Sequence, residues 1–97
     1  MELIHTKKKL GECLAGIRGT LGFVPTMGAL HEGHAALIRQ SASENSHTVV
    51  SVFVNPMQFG PREDLARYPR PFERDLDICR ETGASVVYAP EPADIYP

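Results

Sequence analysis

Thr48-Val49-Val50-Ser51-Val52-Phe53-Val54 is the most informative stretch of the chain, with six of its seven residues β-branched or aromatic. Such a run has no polar face to offer water, so it predicts a strand covered on both sides, as in a parallel sheet. Working outward, Leu21 to Thr26 is a second short apolar run that includes Phe23 and Val24 and ends in the turn Pro25-Thr26-Met27-Gly28. Ala84 to Ala89 supplies a third.

Helical patterns fill the gaps. Leu10, Cys13, Leu14 and Ile17 fall at i, i+3, i+4 and i+7 behind a Thr6 cap, predicting a helix over 7–18. Glu32 to Glu44 lacks proline and places Leu37, Ile38 and Ala42 on one side, predicting a second helix from His31 or Gly33. Phe72, Leu76 and Cys79 mark a third that Gly83 can end, whereas Asn55 to Pro71 reads as loop. Strand, helix, strand, helix, strand calls for right-handed parallel crossovers. The expected class is therefore α/β: a partial doubly wound, Rossmann-like parallel sheet in three α/β/α layers.

At 97 residues the chain fits one domain or part of one. Its 42% apolar and 23% charged content is ordinary for a globular protein, and no run approaches the roughly 18 apolar residues of a membrane span. The N-terminus has no secretory pattern, so the expected setting is cytoplasmic. A net charge of −2 gives no general attraction to nucleic acid, and Lys7 to Lys9 reads as a solvated helix face. Cys13 and Cys79 sit at apolar helix positions and read as small core residues.

In sheets of this kind ligands bind where loops leave the strands' carboxyl ends. Two loops qualify, 25–34 and 55–70. In Thr26-Met27-Gly28-Ala29-Leu30-His31-Glu32-Gly33-His34 a strand gives way to a helix, so free N–H groups and the helix dipole would favour a phosphate there. His31 and His34, three apart, project from nearly one side and can grip one group together. Gly33 leaves space where a purine or ribose could lie. Two other readings stay open for the pair: zinc binding, although the zinc-protease pattern needs histidines four apart, and simple capping or core packing. No metal site is expected, and His5 and His47 read as incidental.

Those residues also carry a resemblance. PTMGALHEGH resembles the HxGH motif of nucleotidyltransferase-type adenylate-forming enzymes, and SVFVNPMQF with DLARYPR resembles the pantothenate synthetase (pantoate–β-alanine ligase) family in particular. The likeness runs from about Leu21 to Pro97. It implies ATP-dependent condensation of pantoate with β-alanine through a pantoyl adenylate, with magnesium accompanying ATP, in a cytoplasmic homodimer that binds neither nucleic acid nor membrane. It further implies that Met27, Gly28, Ala29, Leu30, His31, Glu32, Gly33 and His34 bind ATP, that His34 and His31 are catalytic, and that Gln58, Asn55 and Thr26 hold pantoate or β-alanine. Asn55 could instead only cap loop backbone, and Tyr68, Arg70 and Asp75 are left without a role. On the same resemblance, residues 1–97 form the N-terminal portion of a nucleotide-binding domain, expected to be inactive by itself. The rivals are another HxGH nucleotidyltransferase and a non-catalytic module binding pantoate or nucleotide.

Overall fold

The structure, a computed structural model, describes residues 1–53 and 72–95. Its elements run β1 (Glu2–Ile4), α1 (Lys7–Ala15), β2 (Leu21–Thr26), α2 (Glu32–Glu44), β3 (His47–Val52), α3 (Phe72–Thr82), β4 (Val86–Tyr88) and α4 (Pro92–Ile95). The four strands form one parallel sheet in the order β1-β4-β3-β2.

That order explains the layers. From β2 the chain steps to β3 and then β4, while from β1 it must first travel to the far edge to begin β2. Right-handed crossovers in opposite directions put their helices on opposite faces. Two separate cores follow. On one face Val24, Leu30, Ile38, Val50, Leu76, Cys79, Ala84 and Val87 pack together beneath α2 and α3. On the other, Ile4, Val49, Val86 and Tyr88 meet Leu10, Cys13 and Leu14 of α1. Successive residues of β3, Val49 and Val50, serve opposite cores, as the Thr48–Val54 run requires. Val54 itself lies outside the described residues.

The observed boundaries refine the expected ones. The first helix stops at Ala15, before Gly16, and the third strand is only Val86–Tyr88. Gly83 does end α3, with φ +103. Leu37 is not on the buried face of α2: it is 55% exposed beside a fully buried Ile38. The seam is Ala35, Ile38, Ser41 and Ala42, and Leu37 lies about 100° away from Ile38 around the helix. Thr48, completely buried on β3, joins α2 through a 2.8 Å hydroxyl–hydroxyl bond to Ser41.

β1 was not expected. Three residues are too few to show a period, and only Ile4 is buried. Its place at the edge comes from pairing with β4, Ile4 opposite Tyr88. Both cysteines are free, and burial together with the nearby Asp75 pushes the Cys79 thiol up to about 11. Among the described residues no helix is long and apolar enough to cross a membrane.

Candidate functional site

Thr26 stands opposite Val52 and Ser51 opposite Tyr88, so β2 and β3 finish level and β4 one residue earlier. Over this edge opens a cleft of about 280 Å³, lined by Met27 and Gly28 after β2, Val52 and Phe53 of the β3 end, Phe72 and Asp75 of α3, and Ala89 to Pro92 after β4. It is the crevice that a doubly wound sheet leaves beyond its carboxyl ends. His5, at the end of β1, bonds through Nδ1 to the Ala89 carbonyl at 2.9 Å, which ties the outer strand to the cleft rim.

Between β2 and α2 the backbone makes a left-handed turn, with φ +83 at Gly28 and +52 at Ala29. Glycine is required first: a Cβ at Gly28 would lie 3.3 Å from Asp75 Oδ2 and 3.4 Å from Val52. The turn is held by side chains. Thr26 Oγ1 donates to the Ser51 carbonyl at 2.9 Å and accepts from the Gly28 N–H at 3.2 Å. The buried Asp75 carboxylate accepts from Ala29 N–H through Oδ2 at 2.9 Å and from Leu30 N–H through Oδ1 at 2.8 Å. Leu30, 1% exposed, then anchors the chain in the core before α2 begins.

The first turn of α2 is closed by the two histidines. His31 is the N-cap and its Nδ1 accepts from the Gly33 N–H at 3.0 Å, while His34 Nδ1 accepts from the His31 N–H at 3.1 Å. This is a capping box built from imidazoles instead of a hydroxyl and a carboxylate. The ring centroids are 4.1 Å apart and tilted by 47°. An Nδ1 that accepts cannot carry a proton, so each neutral ring holds its proton on Nε2 and has only that N–H left to give. Burial lowers the His34 pKa from its ordinary value, His31 lowers it further, and Asp75 pulls the other way.

This local geometry changes the phosphate picture drawn from sequence. The N–H groups of Gly28, Ala29, Leu30, His31 and Gly33 are all engaged within the protein, on Thr26, Asp75, His34 and His31. Those five amides are therefore not free for a ligand, and each neutral imidazole keeps one N–H, at Nε2, that the capping bonds do not use. Gly33 has a nearer cause than a nucleotide as well: a Cβ there would press on the His31 ring at 2.8 Å from Cε1. Glu32 is turned to Arg39, 2.9 Å away in an exposed ion pair.

A family model, Pantoate-beta-alanine ligase, matches residues 2–97. The chain belongs to the pantoate–β-alanine ligase family. Among curated ligase relatives, the pantothenate synthetase of Helicobacter pylori strain G27 is 53% identical over 97 residues, all of this chain and 35% of that protein. That of Salinispora arenicola strain CNS-205 is 50% identical over 96 residues, 99% of this chain and 34% of that one. The chain therefore spans about a third of their length. Among solved structures, the Francisella tularensis ligase complexed with beta-gamma ATP and β-alanine superposes with a TM-score of 0.93 at 38% identity, covering all of this chain and 38% of that one. The pantothenate synthetase of Thermus thermophilus gives 0.87 at 46%, again covering all of this chain and 34% of the other.

Of the ligase residues expected from sequence, Met27 and Gly28 line the cleft, and His31 and His34 are paired at the α2 start without lining it. Ala29 and Leu30 form the clamped turn, and the Thr26 hydroxyl braces β2 against β3. Asn55, Gln58, Tyr68 and Arg70 lie outside the described residues. Asp75, to which the sequence reading assigned nothing, proves to be the buried partner of the turn. It is 46 residues from Ala29, and no local pattern signals such a contact.

Proposed function

We propose that the protein to which this chain contributes condenses pantoate with β-alanine at the expense of ATP. A pantoate carboxylate oxygen forms a bond to the α-phosphorus as the bond to pyrophosphate breaks. The β-alanine amine then attacks the acyl carbon of pantoyl adenylate, loses a proton, and AMP leaves. In this proposal the segment Met27 to His34 binds ATP, and Thr26, Asn55 and Gln58 bind pantoate or β-alanine.

One observation carries this reading: both histidines spend Nδ1 on backbone. Capping alone would be met as well or better by Ser, Asn or Asp, the residues preferred at an N-cap. Imidazole adds a second nitrogen, and two such groups fixed at a helix start can donate to phosphoryl oxygens as charge builds, without reorganising. His34 in this account supplies its Nε2 proton and His31 is its phosphate-binding companion. The Francisella tularensis relative, described as complexed with an ATP compound and β-alanine, supports ATP and β-alanine as ligands.

Magnesium belongs to the proposal as the counter-ion that ATP brings. Among the described residues no three His, Cys, Asp or Glu side chains gather to hold it, and both Asp75 oxygens are already engaged. A cytoplasmic homodimer completes the proposal. Free Cys13 and Cys79 suit a reducing compartment, and sedimentation of the protein would test the pairing.

The test is pantoate-dependent exchange between ATP and pyrophosphate, measured on a chimera in which residues 1–97 replace the matching segment of the Helicobacter pylori relative. Exchange that needs pantoate is expected. A folded chimera that exchanges equally well with 4'-phosphopantetheine, or not at all, would refute the reading.

A further inference from the structure

We infer that Asp75 is the positioning residue for the histidine pair: its carboxylate clamps the turn at Ala29 and Leu30 and so sets where α2 begins. The importance of that placement for catalysis rests on the function proposed above.

Three observations converge on Asp75. It is 1% exposed, and burying a charge in such a place is costly unless the charge is fully bonded. Its two oxygens meet two successive backbone N–H groups, at 2.9 and 2.8 Å, and it stands in the first turn of α3, where the helix dipole favours an anion. The turn it grips is one the chain would not adopt freely, because Ala29 is a non-glycine residue at φ +52. The chemistry selects aspartate. Two converging donors need an acceptor with no hydrogen of its own, whereas asparagine would turn an NH₂ group against one of them.

The consequence reaches the histidines through a short, rigid path. Ala29 and Leu30 are tied to α3, Leu30 is sunk in the core, and the next residue is the N-cap His31. With Asp75 also on the cleft wall, one side chain relates the cleft to the imidazole pair. A loop held only by its own local bonds would let the pair drift, and displacements of an ångström at a reacting centre are costly in rate.

Amide hydrogen exchange on the folded chimera tests the clamp without any substrate. The Ala29 and Leu30 amides are expected to be protected in the wild type. In Asp75→Asn their protection falls by roughly tenfold or more, the scale of losing one charge-assisted bond, while the Val50 amide is unchanged. Wild-type amides exchanging at open-loop rates, or full protection in the variant, would overturn the inference. Should Asp75→Asn fail to fold, Gly28→Ala reads the same clamp by pressing a methyl group on Asp75 Oδ2, and it is expected to lower Ala29 protection.

Kinetics in the chimera separate positioning from mere support. Asp75→Asn should raise KM for ATP and lower kcat, with KM for pantoate unmoved. A drop in kcat with both KM values intact would mean only fewer folded molecules and would count against positioning. If the parent chimera is inactive the functional reading fails, and hydrogen exchange still decides the clamp.

Discussion

α1 and α2 begin in ways that invite comparison. At α1 the extended Thr6 caps with a hydroxyl that accepts from Lys9 N–H at 3.2 Å, and Asp94 accepts from Lys7 N–H at 2.9 Å. At α2 the same backbone need is met by two imidazoles, preceded by a left-handed turn clamped from α3. The first arrangement is cheap and replaceable. The second uses residues that are poorer caps and a buried charge, and it stands beside the open end of the sheet. Stability accounts for the start of α1; at the start of α2 capping alone does not select imidazole over Ser, Asn or Asp.

The comparison breaks most visibly in activity. His34→Ala in the chimera should cut pantoate-dependent exchange by about 10²–10³-fold, the range for losing one preorganised donor to a developing charge, whereas Thr6→Ala should leave exchange unchanged. Equal effects at the two helix starts would remove the distinction. His31→Asn sharpens it, because asparagine caps well: thermal stability should stay within about 0.5 kcal/mol, yet exchange should fall at least tenfold for want of the second nitrogen.

Smaller effects concern packing and caps. Gly22 lies under the C-terminal end of α2, where an added methyl would collide with Ser41 and Asn45. Gly22→Ala should therefore lower stability by about 1–3 kcal/mol in denaturant unfolding, the cost of overpacking. Thr6→Ala should cost about 1 kcal/mol and nothing more.

The last prediction is of direction only. The His34 pKa is lowered in the folded chain, chiefly by burial, so at pH values below about 6.5 the unfolded chain binds more protons than the folded one. Stability at the α2 start should be intact near neutrality, decline as pH falls through 6.5, and level off below the folded pKa. Protonation of Nδ1 would also set an N–H against the His31 N–H. The loss should be smaller in His34→Gln, measured by urea unfolding across pH.

Much of this was legible along the chain. The β-branched run at 48–54 announced a doubly covered strand, and Val49 and Val50 do feed opposite cores. The histidine spacing announced one shared helix face, and the rings meet. Leu37 misled because apolar character in a helix does not say which side of a 100° step faces the sheet. The histidines did not advertise a capping box, since its usual signature has a hydroxyl and a carboxylate in their places.

Local order and periodicity, which act over a few residues, thus determined α1 to α3, the strands β2, β3 and β4, the parallel class and the candidate loop, but not the short α4. Tertiary structure alone decided the rest: that Glu2–Ile4 is an edge strand, that the sheet runs β1-β4-β3-β2, and that Asp75 grips a turn 46 residues away. The reason is physical. A three-residue strand or a buried carboxylate has no favourable energy of its own, and each becomes stable only when distant backbone arrives to complete its hydrogen bonds.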